Sequence, residues 1–417
     1  MQPIHLYIFN ENSRASVYGI GTYLKELAIA LANSGVRITV IYLRDEPVIR
    51  MEEIDGVRHW HIPDATEETL YLDHDKRAKQ YYRNIVNLLR LYIQDTRRLV
   101  FHLNYTQNGS LAEALKNTFD CKIVFTIHYL NWCFGLSGNI TQFRDILATQ
   151  VINLEDDRLK KSVVKSYRKE KELFDRVDQV ICLSENTRQI LTDDYQILPN
   201  KTTVIYNGMT HHDPVLSKQE LRQKYHIPDI PIILFVGRLD EIKGLTYVMQ
   251  AFKTMIDRQI NCHLIVVGNG SFDSYMKECE DIWMHVTWTG LIDRKKLYDL
   301  YAIADIGVMP SLHEQCSYVA IEMMMHGVPL IASTSTGLRE MIEDGVTGLH
   351  VPVVEHPDRV EIDSSLLAEK MLYLLHRPED RKRMGANARK RYEWLYSSEA
   401  MRENMLKLFT SLPFVEF

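Results

Sequence analysis

Between Asp305 and Ser333 two short apolar runs, Asp305–Pro310 and Leu330–Ser333, flank a helix-length stretch, Tyr318 to His326. Residues 319 to 325 of that stretch are apolar on every side except at Glu322. A helix without a polar face must be covered all round, and a helix between two buried strands belongs to a parallel sheet layered with helices. A carboxylate in such surroundings costs several kcal/mol unless something hydrogen-bonds to it. No neighbour of Glu322 in the sequence is an obvious cation, which points to a ligand carrying hydroxyls. Glu314, with seven residues between it and Glu322, falls in the loop before the helix, where a side chain reaches into a crevice. The plainer alternative is a solvated loop glutamate followed by a helix glutamate that points outward.

The same alternation of strand and helix runs through both halves of the chain. In the first half, strand Ile4–Phe9 leads through a loop with Gly19 and Gly21 to a helix Tyr23–Asn33, then Gly35 and strand Val36–Leu43. Later strands are Leu99–Asn104, Lys122–His128 and Gln179–Leu183. In the second half, strand Ile232–Gly237, helix Leu245–Arg258 and strand His263–Gly268 repeat the theme. A chain of 417 residues exceeds one ordinary core, so two domains are expected. Val204-Ile-Tyr-Asn-Gly-Met209 looks like the join, which gives domains 1–207 and 208–390. The last stretch, about 391–417, should form a helix that packs back onto the first domain. The predicted class is α/β, two Rossmann-like domains facing across a cleft.

A formal net charge of −6 disfavours nucleic acid as the main partner. Six cysteines without a Cys-x-x-Cys pair fit reduced thiols in a cytoplasmic protein rather than a disulfide framework or zinc site. No apolar run approaches the ~18 residues that span a bilayer. A charge-rich helix at 153–176 reads as a solvated face, and its lysines are compatible with peripheral contact at the inner face of a membrane.

Two cations, Arg238 and Lys243, precede the helix that starts at Leu245. Cations at a helix N-terminus oppose its dipole, and the arrangement turns favourable when an anion sits between them, a phosphate above all. The local alternative pairs Arg238 with Asp240 or Glu241. Acids that bind hydroxyls and cations that bind phosphate, within one domain, describe a nucleotide-sugar site. The Gly19-Ile-Gly21 turn lacks the third glycine of the dinucleotide fingerprint, so a pyridine nucleotide is disfavoured. His128 ends a parallel strand, where such folds bind ligands. Asp73-His-Asp75 and His211-His-Asp213 resemble metal motifs but lack their settings, and both read as surface residues; no metal is expected.

The run Val236-Gly-Arg-Leu-Asp-Glu-Ile-Lys-Gly244, then Gly268-Asn-Gly270, Thr289-Gly-Leu291 and Pro310-Ser311 through Gly348, resembles glycosyltransferase family 4, retaining enzymes of the GT-B fold. The similarity is strong over 230 to 350 and looser over 1 to 210. It implies a hexosyltransferase-type enzyme that uses a nucleotide-diphosphate sugar, UDP- or GDP-linked, as co-substrate and needs no metal or other cofactor. The acceptor would be a hydroxyl of a glycan, lipid-linked saccharide, peptide or metabolite. By the same resemblance Arg238 and Lys243 bind the diphosphate, Glu322 the ribose hydroxyls and Glu314 the transferred sugar, while His128 lies near the reacting carbon. Leu291 and Ile292 receive the base, Gly21 approaches the phosphates, and the turn Ser317-Tyr318-Val319 meets the donor. The family's Phe-Gly after the first glutamate is here Cys316-Ser317, and its later Gly-Gly is Thr336-Gly337. A nucleotide-sugar epimerase of similar fold and a non-catalytic sugar-nucleotide-binding protein are the rival readings.

Overall fold

The computed structural model describes residues 3–12, 19–64, 73–149 and 157–414. They cluster into two compact units: Met1–Trp132 with Thr149–Thr210 and Ser398–Phe417, and Cys133–Ala148 with His211–Ser397. The first unit is built on an eight-stranded sheet of β1 (Ile4–Glu11), β2 (Val36–Leu43), β3 (Arg50–Ile54), β4 (Val57–Ile62), β5 (Leu99–Leu103), β6 (Lys122–Ile127), β7 (Gln179–Cys182) and β8 (Thr202–Val204). Their order is β3-β4-β2-β1-β5-β6-β7-β8, parallel except for the β3–β4 hairpin. The chain reverses direction across the sheet between β1 and β5, and their carboxyl ends flank the crevice in which such sheets take ligands. Strand β5, Leu-Val-Phe-His-Leu, is buried at every position, as a central strand under helices on both faces must be.

The second unit repeats the plan with β9 (Ile232–Val236), β10 (His263–Val267), β11 (Val286–Gly290), β12 (Ile306–Met309), β13 (Leu330–Ser333) and β14 (Gly348–Val351). The order is β11-β10-β9-β12-β13-β14, all parallel, so here the reversal lies between β9 and β12. A hairpin of β15 (Val353–Glu355) and β16 (Val360–Ile362) follows. Apolar residues of helices Leu245–Asp257 and Ser364–His376 interleave with β9, β10 and β12 in one core.

Several boundaries differ from the expectation. The first helix runs Gly19–Leu31, which puts Gly19 and Gly21 in its first turn rather than in a loop. The C-terminal stretch is not one helix: Pro378–Arg391 passes through a wide turn at Tyr392–Tyr396, and a separate helix, Ser398–Ser411, packs on Gly19–Leu31 of the first unit. Residues 391–397 stay with the second unit because Arg391 grips the carbonyls of Met341 (2.8 Å) and Glu340 (2.7 Å). Residues 133–148, placed in the first half by the sequence, also group with the second unit. There Asn139 Nδ2 donates to the His356 carbonyl at 2.7 Å, and the Thr141 amide donates to Glu355 at 3.1 Å. Of the charge-rich segment 153–176, residues 153–156 lie outside the described residues, and the helix spans Arg158–Arg176. Among the described residues no helix is long and apolar enough to cross a membrane.

Helix Pro378–Arg391 packs on helix Tyr318–Met325 through Gly385, where an added Cβ would lie 2.1 Å from the Gly327 carbonyl oxygen. Alanine in a helix interior is ordinarily favoured over glycine by about 1 kcal/mol. At Gly385 the backbone clash outweighs that gain, so Gly385→Ala should lose about 1–3 kcal/mol of stability. Urea unfolding checks the sign, and a stabilised variant would refute the packing.

Candidate functional site

The carboxyl ends of β9, β10, β12 and β13 are joined by backbone contacts. The Gly237 amide donates to Val267 O at 3.0 Å and Leu239 N to Asn269 O at 3.0 Å. Gly268 takes φ +147°, and a Cβ on it would stand 1.7 Å from the Gly237 oxygen. One turn further, Gly244 takes φ +71° as the residue before helix Leu245–Asp257, with no side-chain cap on that helix end. A Cβ there would fall 2.0 Å from the Pro310 carbonyl oxygen. Leu312 N donates to Ile242 O at 2.8 Å, which closes the β9 turn on the loop after β12.

These ties bring Lys243 and Glu314 together as an ion pair, both largely buried, with Ser311 Oγ 3.3 Å from the same carboxylate. Arg238, on the same turn, pairs with Asp240 at 3.2 Å, so the local partner that the sequence offered is the one it has. The Glu314 backbone is held by Thr336 and Gly337. Thr336 Oγ1 accepts from the Glu314 amide at 3.0 Å and donates to its carbonyl, and the Gly337 amide donates to that carbonyl at 2.8 Å. Ser317 has an ordinary φ of −75°, and its hydroxyl caps helix Tyr318–Met325 by accepting from Ala320 N. Tyr318 and Val319 begin that helix half-buried, and Leu291 and Ile292 form the turn after β11, Leu291 exposed.

Glu322 is 6% exposed, as expected for a carboxylate on an all-apolar helix. Its neighbours in the sequence offer no cation, and its partners come from further away. Its Oε2 accepts from the Tyr301 hydroxyl at 2.8 Å, and Arg294 Nη2 lies 3.4 Å from Oε1. Both partners come from helix Arg294–Ile303, 28 and 21 residues upstream, where local sequence gives no sign of the contact. Burial, with the Glu322 carboxylate beside it, holds the Tyr301 phenol well above its usual range.

In the first unit His128 follows β6 half-buried, its Nε2 3.0 Å from Asn104 Oδ1 and its ring edge-on to Tyr23 at 4.7 Å. Asn104 Nδ2 donates to Phe9 O at 3.3 Å, which fixes the amide so that Oδ1 faces the imidazole. Nε2 therefore carries the proton, and Nδ1 keeps its lone pair. Desolvation, helped by His102, pulls the His128 pKa down to about 3, so the ring is neutral at ordinary pH. His102, fully buried, is likewise lowered to about 3, with Nε2 2.7 Å from Thr126 Oγ1. Gly21 lies on the helix that carries Tyr23. Asn104, Tyr23, Arg294 and Tyr301 join these residues without a local signal in the sequence, whereas Thr336 stood out there only as a departure from the family pattern.

Asp73 caps helix His74–Tyr92 through Lys76 N at 2.9 Å, and His211 pairs with Asp213 at 3.0 Å, all three residues lying at the surface. Among the described residues one group, Asp45, Glu46 and His61, has the spacing to hold a metal ion, and Arg50 already engages Glu46 at 2.7 Å.

Two parallel-sheet units, each with polar or charged residues at strand carboxyl ends, have the architecture of the GT-B fold. Residues 17–212 match the family described as Glycosyltransferase Family 4, and residues 217–391 match Glycosyl transferases group 1. The chain belongs to these family 4 glycosyltransferases. It is 24% identical over 409 residues to spore coat protein SA of Bacillus subtilis, covering 94% of each chain. Its fold matches the sucrose-phosphate synthase of Thermosynechococcus elongatus with a TM-score of 0.75 at 22% identity over 98% of each chain. Anabaena Alr3699/HepE, solved in complex with UDP, aligns with a TM-score of 0.70 at 15% identity over 98% of this chain and 100% of that one.

Tyr301→Phe removes the hydroxyl that Glu322 accepts and should cost about 1–3 kcal/mol, a loss of the size expected for a bond to a charged acceptor; an unchanged denaturation midpoint would contradict the contact. For His102 the folded pKa of about 3 lies below the ordinary 6.5, so as pH falls the unfolded chain takes up the proton first. Stability present above pH 6.5 is lost progressively between there and about 3. His102→Asn should flatten this acid slope in urea unfolding curves taken at pH 7 and pH 5; an unaltered slope would show that His102 contributes nothing to it.

Proposed function

We propose that the enzyme is a retaining glycosyltransferase that moves a sugar from a nucleoside-diphosphate sugar to an acceptor hydroxyl, with the donor on the second unit. The observation that carries this reading is the fixed turn after β9, which holds Arg238 and Lys243 beside a helix end without a side-chain cap and against Glu314. Phosphate oxygens suit this set: two cations and backbone amides at one helix N-terminus. A bound diphosphate would share Lys243 with Glu314 and draw Arg238 from Asp240. Glu322 has one oxygen on Tyr301 and the other near Arg294, and a carboxylate so oriented keeps lone pairs for two ribose hydroxyls. The UDP in the Anabaena relative supports a uridine donor, with the base at Leu291 and Ile292.

Chemically the reaction is charge management. As the bond between the anomeric carbon and the phosphate oxygen breaks, positive charge grows on carbon and negative charge on the leaving diphosphate. Arg238 and Lys243 stabilise the leaving charge without a metal, and each preorganised group of this kind contributes ~3 kcal/mol. The departing phosphate oxygen takes the acceptor's proton while the acceptor oxygen bonds to carbon on the same face, which retains configuration. His128, neutral and fixed by Asn104, suits a hydrogen-bonding role in the reaction rather than that of a proton carrier. The six free, buried cysteines suit a reducing, cytoplasmic setting.

Arg238→Ala and Lys243→Ala should each lower turnover about a hundredfold or more. A thermal-shift panel of UDP-, GDP- and ADP-sugars selects the donor for the assay. Near-normal transfer by both variants would defeat the phosphate assignment, and isomerised donor without transfer would favour the epimerase.

A further inference from the structure

Helix Arg158–Arg176 is charged along nearly its whole length, yet Glu170 in its middle is completely buried. Burial pushes this carboxyl up, against the pull of three hydrogen bonds that stabilise the charged form. Its Oε1 accepts from the Asn131 amide at 2.7 Å and from Asn131 Nδ2 at 2.8 Å, and its Oε2 accepts from the Tyr195 hydroxyl at 2.5 Å. A buried carboxylate on a surface helix is costly, and an apolar residue would fill the same space with less penalty. The bonds it makes run to the loop that starts at His128.

Asn131 works as a bracket. One Nδ2 proton goes to Glu170 and the other to Thr106 Oγ1 at 3.0 Å. Thr106 follows Asn104 on the loop after β5, and Asn104 Oδ1 receives the His128 Nε2 proton. The two loops that hold His128 are thus cross-linked by Asn131, and Asn131 is fixed by Glu170. We propose that Glu170 is a positioning residue for His128: it sets the loop 128–132 and, through Asn131 and Thr106, the register of that loop against Asn104. Glu170 does not touch substrate. The inference deepens the role given to His128 above and rests on that reading.

Two variants and two readouts test it. Glu170→Ala removes the anchor, and Asn131→Asp turns a double donor into an acceptor facing Glu170 while leaving the helix and Tyr195 intact. Histidine ring signals in NMR, with His128 assigned through His128→Gln, report its geometry without turnover. The His128 signal should move in both variants while that of His350 in the second unit stays in place. In donor turnover, kcat should fall about tenfold to a hundredfold with KM for the donor within about twofold, the mark of misplacement rather than lost binding. Glu170→Gln, which keeps an acceptor for Asn131 and can turn its amide to the Tyr195 oxygen, should recover most of the rate. If Glu170→Ala does not fold, Asn131→Asp carries the test. A His128 signal unmoved in folded Asn131→Asp, or kcat unchanged in it, overturns the proposal. Should the wild-type protein turn over no donor, the transferase reading falls, and the ring signal still decides whether Glu170 positions His128.

Discussion

Three carbonyl oxygens in the second unit lie so close to glycines that no side chain fits between them: a Cβ would stand 1.7 Å from Gly237 O at Gly268, 2.0 Å from Pro310 O at Gly244 and 1.7 Å from Gln315 O at Gly337. Each contact joins loops that follow different strands. Together they turn four irregular segments into one surface at the carboxyl ends of β9, β10, β12 and β13. Lys243 ends a single 3-10 turn, Glu241–Lys243, and Glu314 sits in a loop, so their pairing depends on this backbone closure. Electrostatic catalysis needs groups that do not reorganise as charge develops, and loops locked backbone to backbone supply that rigidity. Gly244 and Gly268 also adopt positive φ, so both the space and the conformation exclude other residues there.

The charges on this surface are compensated in pairs: Lys243 with Glu314, Arg238 with Asp240, Arg294 with Glu322. Such pairing offsets part of the cost of burying a carboxylate such as Glu322. It also sets the terms on which an anion binds. A diphosphate bound as proposed would add negative charge beside cations that already have partners, so its gain would be the difference between two sets of contacts rather than the full attraction of a bare cation. On the function proposed above, preference for a sugar diphosphate over a simple phosphate would rest on groups that meet only the full ligand, Glu314 and Glu322 among them.

How much of this was legible in the sequence depends on the range of the interaction. The strands at Val36–Leu43 and Leu330–Ser333 were readable to the residue because aliphatic runs bounded by turn residues mark buried strands locally. The β3–β4 hairpin lies outside the strand–helix alternation, and its local mark is the turn Ile54-Asp-Gly-Val57. Glu314, Glu322, Arg238 and Lys243 stood out by chemistry and spacing. The partners of Glu322 did not, because Arg294 and Tyr301 reach it through the packing of one helix on another. The glycine contacts were equally hidden, since a glycine in a sequence does not say which carbonyl approaches it. The C-terminal helix was read as continuous because its apolar period runs on through 392–397, whereas Arg391 and the wide turn hand the chain from one unit to the other.

The two departures from the family pattern differ in physical consequence. Ser317, where the family has glycine, adopts a φ open to any residue, and its hydroxyl turns back to cap the helix, so the backbone path is unaltered. Thr336 is another matter. It holds φ at +24°, a conformation that a β-branched residue rarely adopts. The strain persists because the threonine hydroxyl bonds both the amide and the carbonyl of Glu314, contacts that a glycine could not make. In this chain the loop that carries Glu314 is therefore fixed by a side chain as well as by the backbone bond from Gly337. The backbone that carries the carboxylate is thereby braced at both its amide and its carbonyl, which leaves Glu314 few places to go.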